Sequence, residues 1–185
     1  DAVKDALFER FPPREPSGGT MTTPRRRHSA DSPRLPEWLR GPNGLRDYQK
    51  DAVNRWLEAN ARGVFAMATG TGKTITALAA AVSLWKAVKK TSSNMLVLVT
   101  VPSKDLVGQW FATATEFSFV PVDCHSDTAA RWPAALDSTV QRLRFGGPVV
   151  EMVITTADTL ISERFEALIR RYDGPTLLIA DEMHC

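Results

Sequence analysis

The sequence predicts an α/β fold with a doubly wound, mostly parallel sheet, and three observations predict it. Short apolar runs suited to buried strands alternate with stretches whose apolar residues recur at helical spacing. A glycine-rich loop, Met67-Ala68-Thr69-Gly70-Thr71-Gly72-Lys73-Thr74, stands between one such run and one such helix. A later run, Thr176-Leu177-Leu178-Ile179-Ala180, delivers the acidic pair Asp181-Glu182. Ligands of such sheets gather at the carboxyl ends of strands, which is where the glycine loop, Pro102-Ser103, Thr155-Thr156 and Asp181-Glu182 all fall.

Residues 1–37 read as a disordered tail or linker. Val3, Leu7 and Phe11 outline a short amphipathic helix over 1–11 with little to pack on. From Pro12 to Pro36 the chain is rich in Pro, Gly and Arg and has almost no apolar residues to offset the entropy of ordering. The run Arg25-Arg26-Arg27 reads first as solvated charge and second as a contact for nucleic acid phosphates. Residues 38–185 form the predicted domain.

Within that domain Leu45, Tyr48, Ala52, Val53, Trp56 and Leu57 lie on one face of a helix that ends near Gly63. Gly63-Val64-Phe65-Ala66 is short and apolar like a buried strand. Ile75, Leu78, Ala79, Val82 and Trp85 mark the helix behind the glycine loop, with Lys86, Lys89 and Lys90 near its negative end. Met95 to Val99 is an unbroken apolar run suited to a parallel strand covered on both faces.

Pro102 ends that strand and Ser103 caps the next helix, whose apolar face is Leu106, Trp110, Ala114 and Phe117. Phe119 to Cys124 reads as a short strand. Pro133 suits a first helical position, with Leu136, Val140 and Leu143 inward and Arg142 and Arg144 on a basic face. Val149 to Thr155 is the next strand, and Leu160, Ile161, Phe165, Leu168 and Ile169 mark one helix running to Gly174.

A chain of 185 residues buries one core, and its formal charge of +2 is too mild to point to nucleic acid by itself. Cys124 and Cys185 are the two cysteines, without a CxxC pair or companions enough for a metal shell, so buried thiols in a reducing, cytoplasmic setting are expected. No apolar run approaches the ~20 residues of a membrane span. No signal peptide is expected ahead of the domain, and the chain begins at Asp1 rather than Met, which leaves its true start open.

The loop's chemistry follows from its residue types. Gly70 and Gly72 let the backbone turn sharply and bring N–H groups against phosphate oxygens, and the new helix points its positive end at the same anion. Lys73 reaches β- and γ-phosphates, and the Thr74 hydroxyl ligates a Mg²⁺ shared with them. The usual pattern begins with Gly where this chain has Met67. Asp181 then suits the Mg²⁺, and Glu182 suits the orientation or deprotonation of an attacking water. Alone, an Asp-Glu pair after an apolar run is more often a capped turn; paired with this loop it favours nucleotide hydrolysis.

In order, Leu45-Arg46-Asp47-Tyr48-Gln49, Met67 to Thr74, Thr100 to Trp110, Thr155-Thr156 and Asp181-Glu182-Met183-His184 resemble the motifs of a superfamily 2 helicase. The DExH ending and the Arg-x-Tyr-Gln opening are similar to the branch of type III restriction subunits and related DNA translocases. The resemblance spans about Trp38 to His184. It implies the first RecA-like lobe of an ATP-dependent DNA motor in restriction, phage defence or repair, using ATP and Mg²⁺.

By the same resemblance Arg46, Tyr48 and Gln49 read adenine, Thr69 to Thr74 hold the phosphates, and Lys73, Asp181 and Glu182 are catalytic. Pro102, Ser103, Gln109, Thr155 and Thr156 contact the nucleic acid backbone, although Ala157 to Leu160 depart from the family's usual run. His184 couples the site to a second RecA-like lobe. That lobe is expected to lie outside this chain, which the resemblance makes incomplete at its C-terminus and inactive alone, with a nuclease as a further fused or associated part. The competing readings are an RNA helicase of the DEAH kind, which the Arg-x-Tyr-Gln opening disfavours, and a non-catalytic nucleotide-dependent binding module.

Overall fold

A computed structural model of the protein describes residues 32–40, 44–91 and 93–181. The helix expected over 1–11, the Arg25–Arg27 run, Glu182 and His184 lie outside them. The described elements run α1 (Asp47–Glu58), α2 (Lys73–Val88), β1 (Met95–Val101), α3 (Lys104–Glu116), β2 (Pro121–Cys124), α4 (Trp132–Phe145), β3 (Val150–Thr156), α5 (Ala157–Leu160), α6 (Glu163–Ile169) and β4 (Thr176–Ala180). The four strands form one all-parallel sheet in the order β2-β3-β1-β4. The α/β, doubly wound expectation holds.

β1 explains why the sheet has two cores. All seven of its residues are buried, and alternate side chains point to opposite faces. Met95, Val97, Val99 and Val101 join α1, α2 and α3 through Val53, Leu78, Trp85 and Trp110. Leu96 and Leu98 join α4 and α6 through Leu136, Val140 and Phe165. Each fully buried aliphatic side chain contributes about 1.5–3 kcal/mol, so a strand apolar at every position suits a place between two helical layers.

At the start of β1, Asn94 ties the sheet to the α4–α6 layer. Its Nδ2 donates to Leu143 O at 2.6 Å, its Oδ1 accepts from Val149 N–H at 2.9 Å, and its own carbonyl accepts from the Tyr172 hydroxyl at 2.9 Å. The end of α4, the entry to β3 and the turn before β4 thus meet at one residue.

Four expectations are corrected. Gly63 to Ala66 is not a strand: an apolar run can pair only if a sheet edge lies beside it. Here a cleft of about 710 Å³ separates residues 63–67 on one wall from Leu177 to Asp181 on the other. Val64 is 90 % exposed, and Phe65 rests instead on the Trp56 ring, centroids 6.2 Å apart.

The helix expected over Leu160 to Ile169 is two. Ser162 accepts from Phe165 N–H as a new N-cap, and short hydroxyl side chains compete with helical hydrogen bonding in this way. Ile161 is left exposed at the break. Arg142 belongs to no free basic face, because its guanidinium grips the buried Glu151 of β3 at 2.6 and 2.9 Å. Pro133 occupies the second rather than the first position of α4.

Candidate nucleotide site

The glycine loop joins residues 62–68 to α2. Thr71 folds it back on Ala68 O through its N–H at 3.3 Å and its hydroxyl at 2.6 Å. Gly70 and Gly72 have φ of +80° and +83°, a left-handed backbone that side chains with a Cβ avoid. Gly72 is also the N-cap of α2, and among the described residues no side chain caps that end. The first-turn N–H groups of a sixteen-residue helix are therefore left to an anion, with Lys73 as the first helical residue.

The Arg46, Tyr48 and Gln49 trio meets this loop directly. The Gln49 side chain is 5 % exposed; its Oε1 accepts from Arg46 N–H at 3.0 Å, and its Nε2 donates to Thr71 O at 3.3 Å and Gly72 O at 3.5 Å. The Tyr48 hydroxyl donates to Thr71 O at 2.8 Å and accepts from Arg46 Nη1 at 3.3 Å. Packing is tight: a Cβ on Gly72 would come within 2.8 Å of Gln49 Nε2. These residues brace the glycine loop, with the Gln49 amide engaged by backbone and Tyr48 and Arg46 exposed beside it.

Asp181 arrives from the other wall of the cleft. Its N–H donates to Thr100 O at 3.0 Å, which extends the β1–β4 pairing by one residue. Its Oδ2 accepts from Trp110 Nε1 at 2.8 Å. Lys73, Trp110 and Asp181 all line the cleft, so of the expected phosphate and Mg²⁺ residues the fold sets Lys73 and Asp181 along one cavity. Beside them Thr100 Oγ1 is buried without a hydrogen-bond partner among the described residues.

The residues expected to touch nucleic acid divide. Pro102, Ser103 and Gln109 are exposed at the start and on the outer face of α3, where Ser103 Oγ accepts from Leu106 N–H as the N-cap. Thr155 and Thr156 are buried. Thr155 Oγ1 donates to Cys124 O at 2.9 Å, and Thr156 Oγ1 caps α5 by accepting from Thr159 N–H. Near Ser103, Lys104 pairs with Asp127 at 2.7 Å and holds that carboxyl below its usual range.

Among the described residues no group of three or more His, Cys, Asp or Glu is placed to hold a metal, and no helix is long and apolar enough to cross a membrane. Burial pushes the Cys124 thiol up to about 12. The residues expected to hold Mg²⁺, Thr74 and Asp181, offer a hydroxyl and a carboxylate, oxygen donors of the kind that ion prefers.

Sequence reasoning placed Trp110 on an apolar helix face and missed its polar end. The signal was available in kind, since a buried indole N–H usually finds an acceptor, but which acceptor depends on how α3 lies across β1 and β4.

Residues 43–185 match the family described as type III restriction enzyme, res subunit. The chain belongs to that family, within the superfamily 2 helicases. Helicases and translocases of this superfamily are ATP-dependent enzymes. Over 66 residues this res-subunit family member is 42 % identical to the DNA 3'-5' translocase XPB2 of Sulfurisphaera tokodaii, covering 36 % of this chain and 13 % of that protein. Its fold is similar to that of a nuclease-deletion mutant of the Type ISP restriction-modification enzyme LlaGI, solved in complex with a DNA substrate mimic. The TM-score is 0.57 at 23 % identity, over 76 % of this chain and 15 % of that one. The chain thus spans only about a seventh of either relative.

Proposed function

We propose that residues 38–185 are the ATP-binding part of the first RecA-like lobe of an ATP-dependent DNA translocase or helicase acting in restriction, phage defence or repair. The observation that carries this reading is the left-handed Gly70 and Gly72 at the uncapped start of α2, with Lys73 sharing one cleft with Asp181. Lys73 and the N–H groups of residues 70–74 hold the β- and γ-phosphates. Thr74 and Asp181 hold Mg²⁺, which when bound draws charge from the phosphate oxygens.

Glu182, next in the sequence after Asp181, orients the attacking water, and the DExH ending continues to His184, which couples the site to a second lobe. Arg46, Tyr48 and Gln49 close the adenine end while bracing the loop. Exposed Pro102, Ser103 and Gln109 face the backbone of DNA, with Thr156 as helix cap and Thr155 behind it. Groups of this kind suit phosphates without reading bases.

The test is ATP hydrolysis by the intact protein with duplex DNA, with RNA and with neither. DNA stimulates hydrolysis, and Lys73→Ala lowers the stimulated rate by about 100-fold or more, as loss of a charge-stabilising donor does. A Lys73→Ala protein that keeps DNA-stimulated hydrolysis within twofold of the wild type sinks the site assignment. Stimulation by RNA alone would move the reading to an RNA helicase.

A further inference from the structure

We propose that Trp110 is a positioning residue for the cation site: its indole N–H holds one oxygen of Asp181 in place and leaves the other to take the metal. This rests on the nucleotide reading above and adds to it a residue that touches neither phosphate nor metal.

The geometry supplies two fixed points for one carboxylate. The Asp181 backbone is tied to β1 by its N–H to Thr100 O at 3.0 Å. Its side chain is tied to α3 by Trp110 Nε1 at 2.8 Å. Trp110 is itself 2 % exposed, packed in the same core as Val107 and Ala114 of its own helix, Phe117 just past its end and Met152 of β3. The donor is thus anchored by packing, whereas a carboxylate at the end of an edge strand would otherwise sample several rotamers.

The chemistry of the donor matters as much as its place. An indole N–H is a donor only and carries no charge, so it orients Asp181 without neutralising it. Lys or Arg in the same position would form an ion pair and compete with a cation for the carboxylate. Among the described residues Asp181 Oδ1 receives no side-chain hydrogen bond, so the arrangement is one oxygen held and one available. Partners of metal-ligating carboxylates in other proteins act this way, and losing one typically weakens metal binding 10- to 100-fold.

The experiment compares the intact wild-type protein with Trp110→Phe and with a protein carrying β-(3-benzothienyl)alanine at position 110. The second side chain keeps the bicyclic shape and replaces the N–H by sulfur. Hydrolysis is measured at saturating ATP while Mg²⁺ is varied. A fluorescent ATP analogue in the presence of EDTA reports nucleotide affinity without metal.

The half-saturating Mg²⁺ concentration rises about tenfold in both proteins, while metal-free nucleotide affinity and the thermal midpoint of the benzothienyl protein stay at wild-type values. A purely structural role for Trp110 would not separate metal from nucleotide in this way. Half-saturating Mg²⁺ within twofold of wild type in the benzothienyl protein overturns the inference, whether or not Trp110→Phe folds. If the wild type itself shows neither Mg²⁺-dependent hydrolysis nor Lys73-dependent nucleotide binding, the nucleotide reading falls and this inference with it. If the wild type shows both and the isostere behaves like it, the inference alone falls.

Discussion

The two sides of β1 are built differently. Toward β3 and β2 the sheet is paired along its length and covered on both faces, with Leu96, Val97, Val153 and Ile154 all buried. Toward β4 the covering is one-sided: Leu177 and Ile179 meet the α2–α3 layer, while Leu178 on the other face is 56 % exposed. Beyond β4 lies the cleft, and across it residues 63–67. Both segments proposed to bear the phosphate chemistry, the loop before α2 and Asp181 after β4, stand on the less packed side. Burial is concentrated in one half of the sheet and the open cleft lies on the other.

The largest test of that division is a pair of truncations. Leu136 is fully buried between α4 and the sheet, so Leu136→Ala should cost about 2–5 kcal/mol. Val64, on the cleft side, is a similar aliphatic residue left in solvent, and Val64→Ala should stay within about 0.5 kcal/mol. Urea unfolding midpoints at equal m-value measure both, and similar losses would erase the distinction.

A smaller effect sharpens the electrostatics of the packed half. Arg142→Met strands the buried Glu151 carboxylate. The cost should be about 2 kcal/mol, below that of a fully buried pair because Arg142 is partly solvated. Adding Glu151→Leu should recover most of it. A double variant no more stable than Arg142→Met would show that the pair is not what matters there.

The smallest effect concerns Cys124, the last residue of β2, buried in the core it shares with α4. Its thiol ionises near 9.0 ordinarily and is pushed up to about 12 by burial. Between those values the unfolded chain releases a proton that the folded chain keeps, so stability declines as pH rises through that window and is unaffected below it. Alkylation by iodoacetamide at pH 8 should be slow in the native protein and fast in urea. Rapid native labelling would mean that the packed half opens more readily than its burial implies.

The comparison also explains which parts were legible in advance. Met95 to Val99 could be read as a strand buried on both faces because every position is apolar, and Ser103, Leu136, Val140 and Leu143 lie where cap and periodicity put them. Gly63 to Ala66 has the same apolar character and is not a strand. Local composition reports what a segment can bury, while pairing needs an edge at the right distance. Ile161 was misjudged for a related reason, since the cap at Ser162 outcompetes an apolar repeat that would have run through it.

By itself the sequence determined the α/β class, the alternation of elements, the glycine loop and its Lys73-Thr74, and the acid after the last strand, because each depends on residue type and near-neighbour spacing. The tertiary structure alone decided that Gln49 and Tyr48 bond to the loop, that Arg142 spends its charge on Glu151, that Thr155 turns inward, and that Trp110 donates to Asp181. Each of these joins residues on different elements. Which donor meets which acceptor is set by how helices lie across the sheet, and no local pattern encodes that.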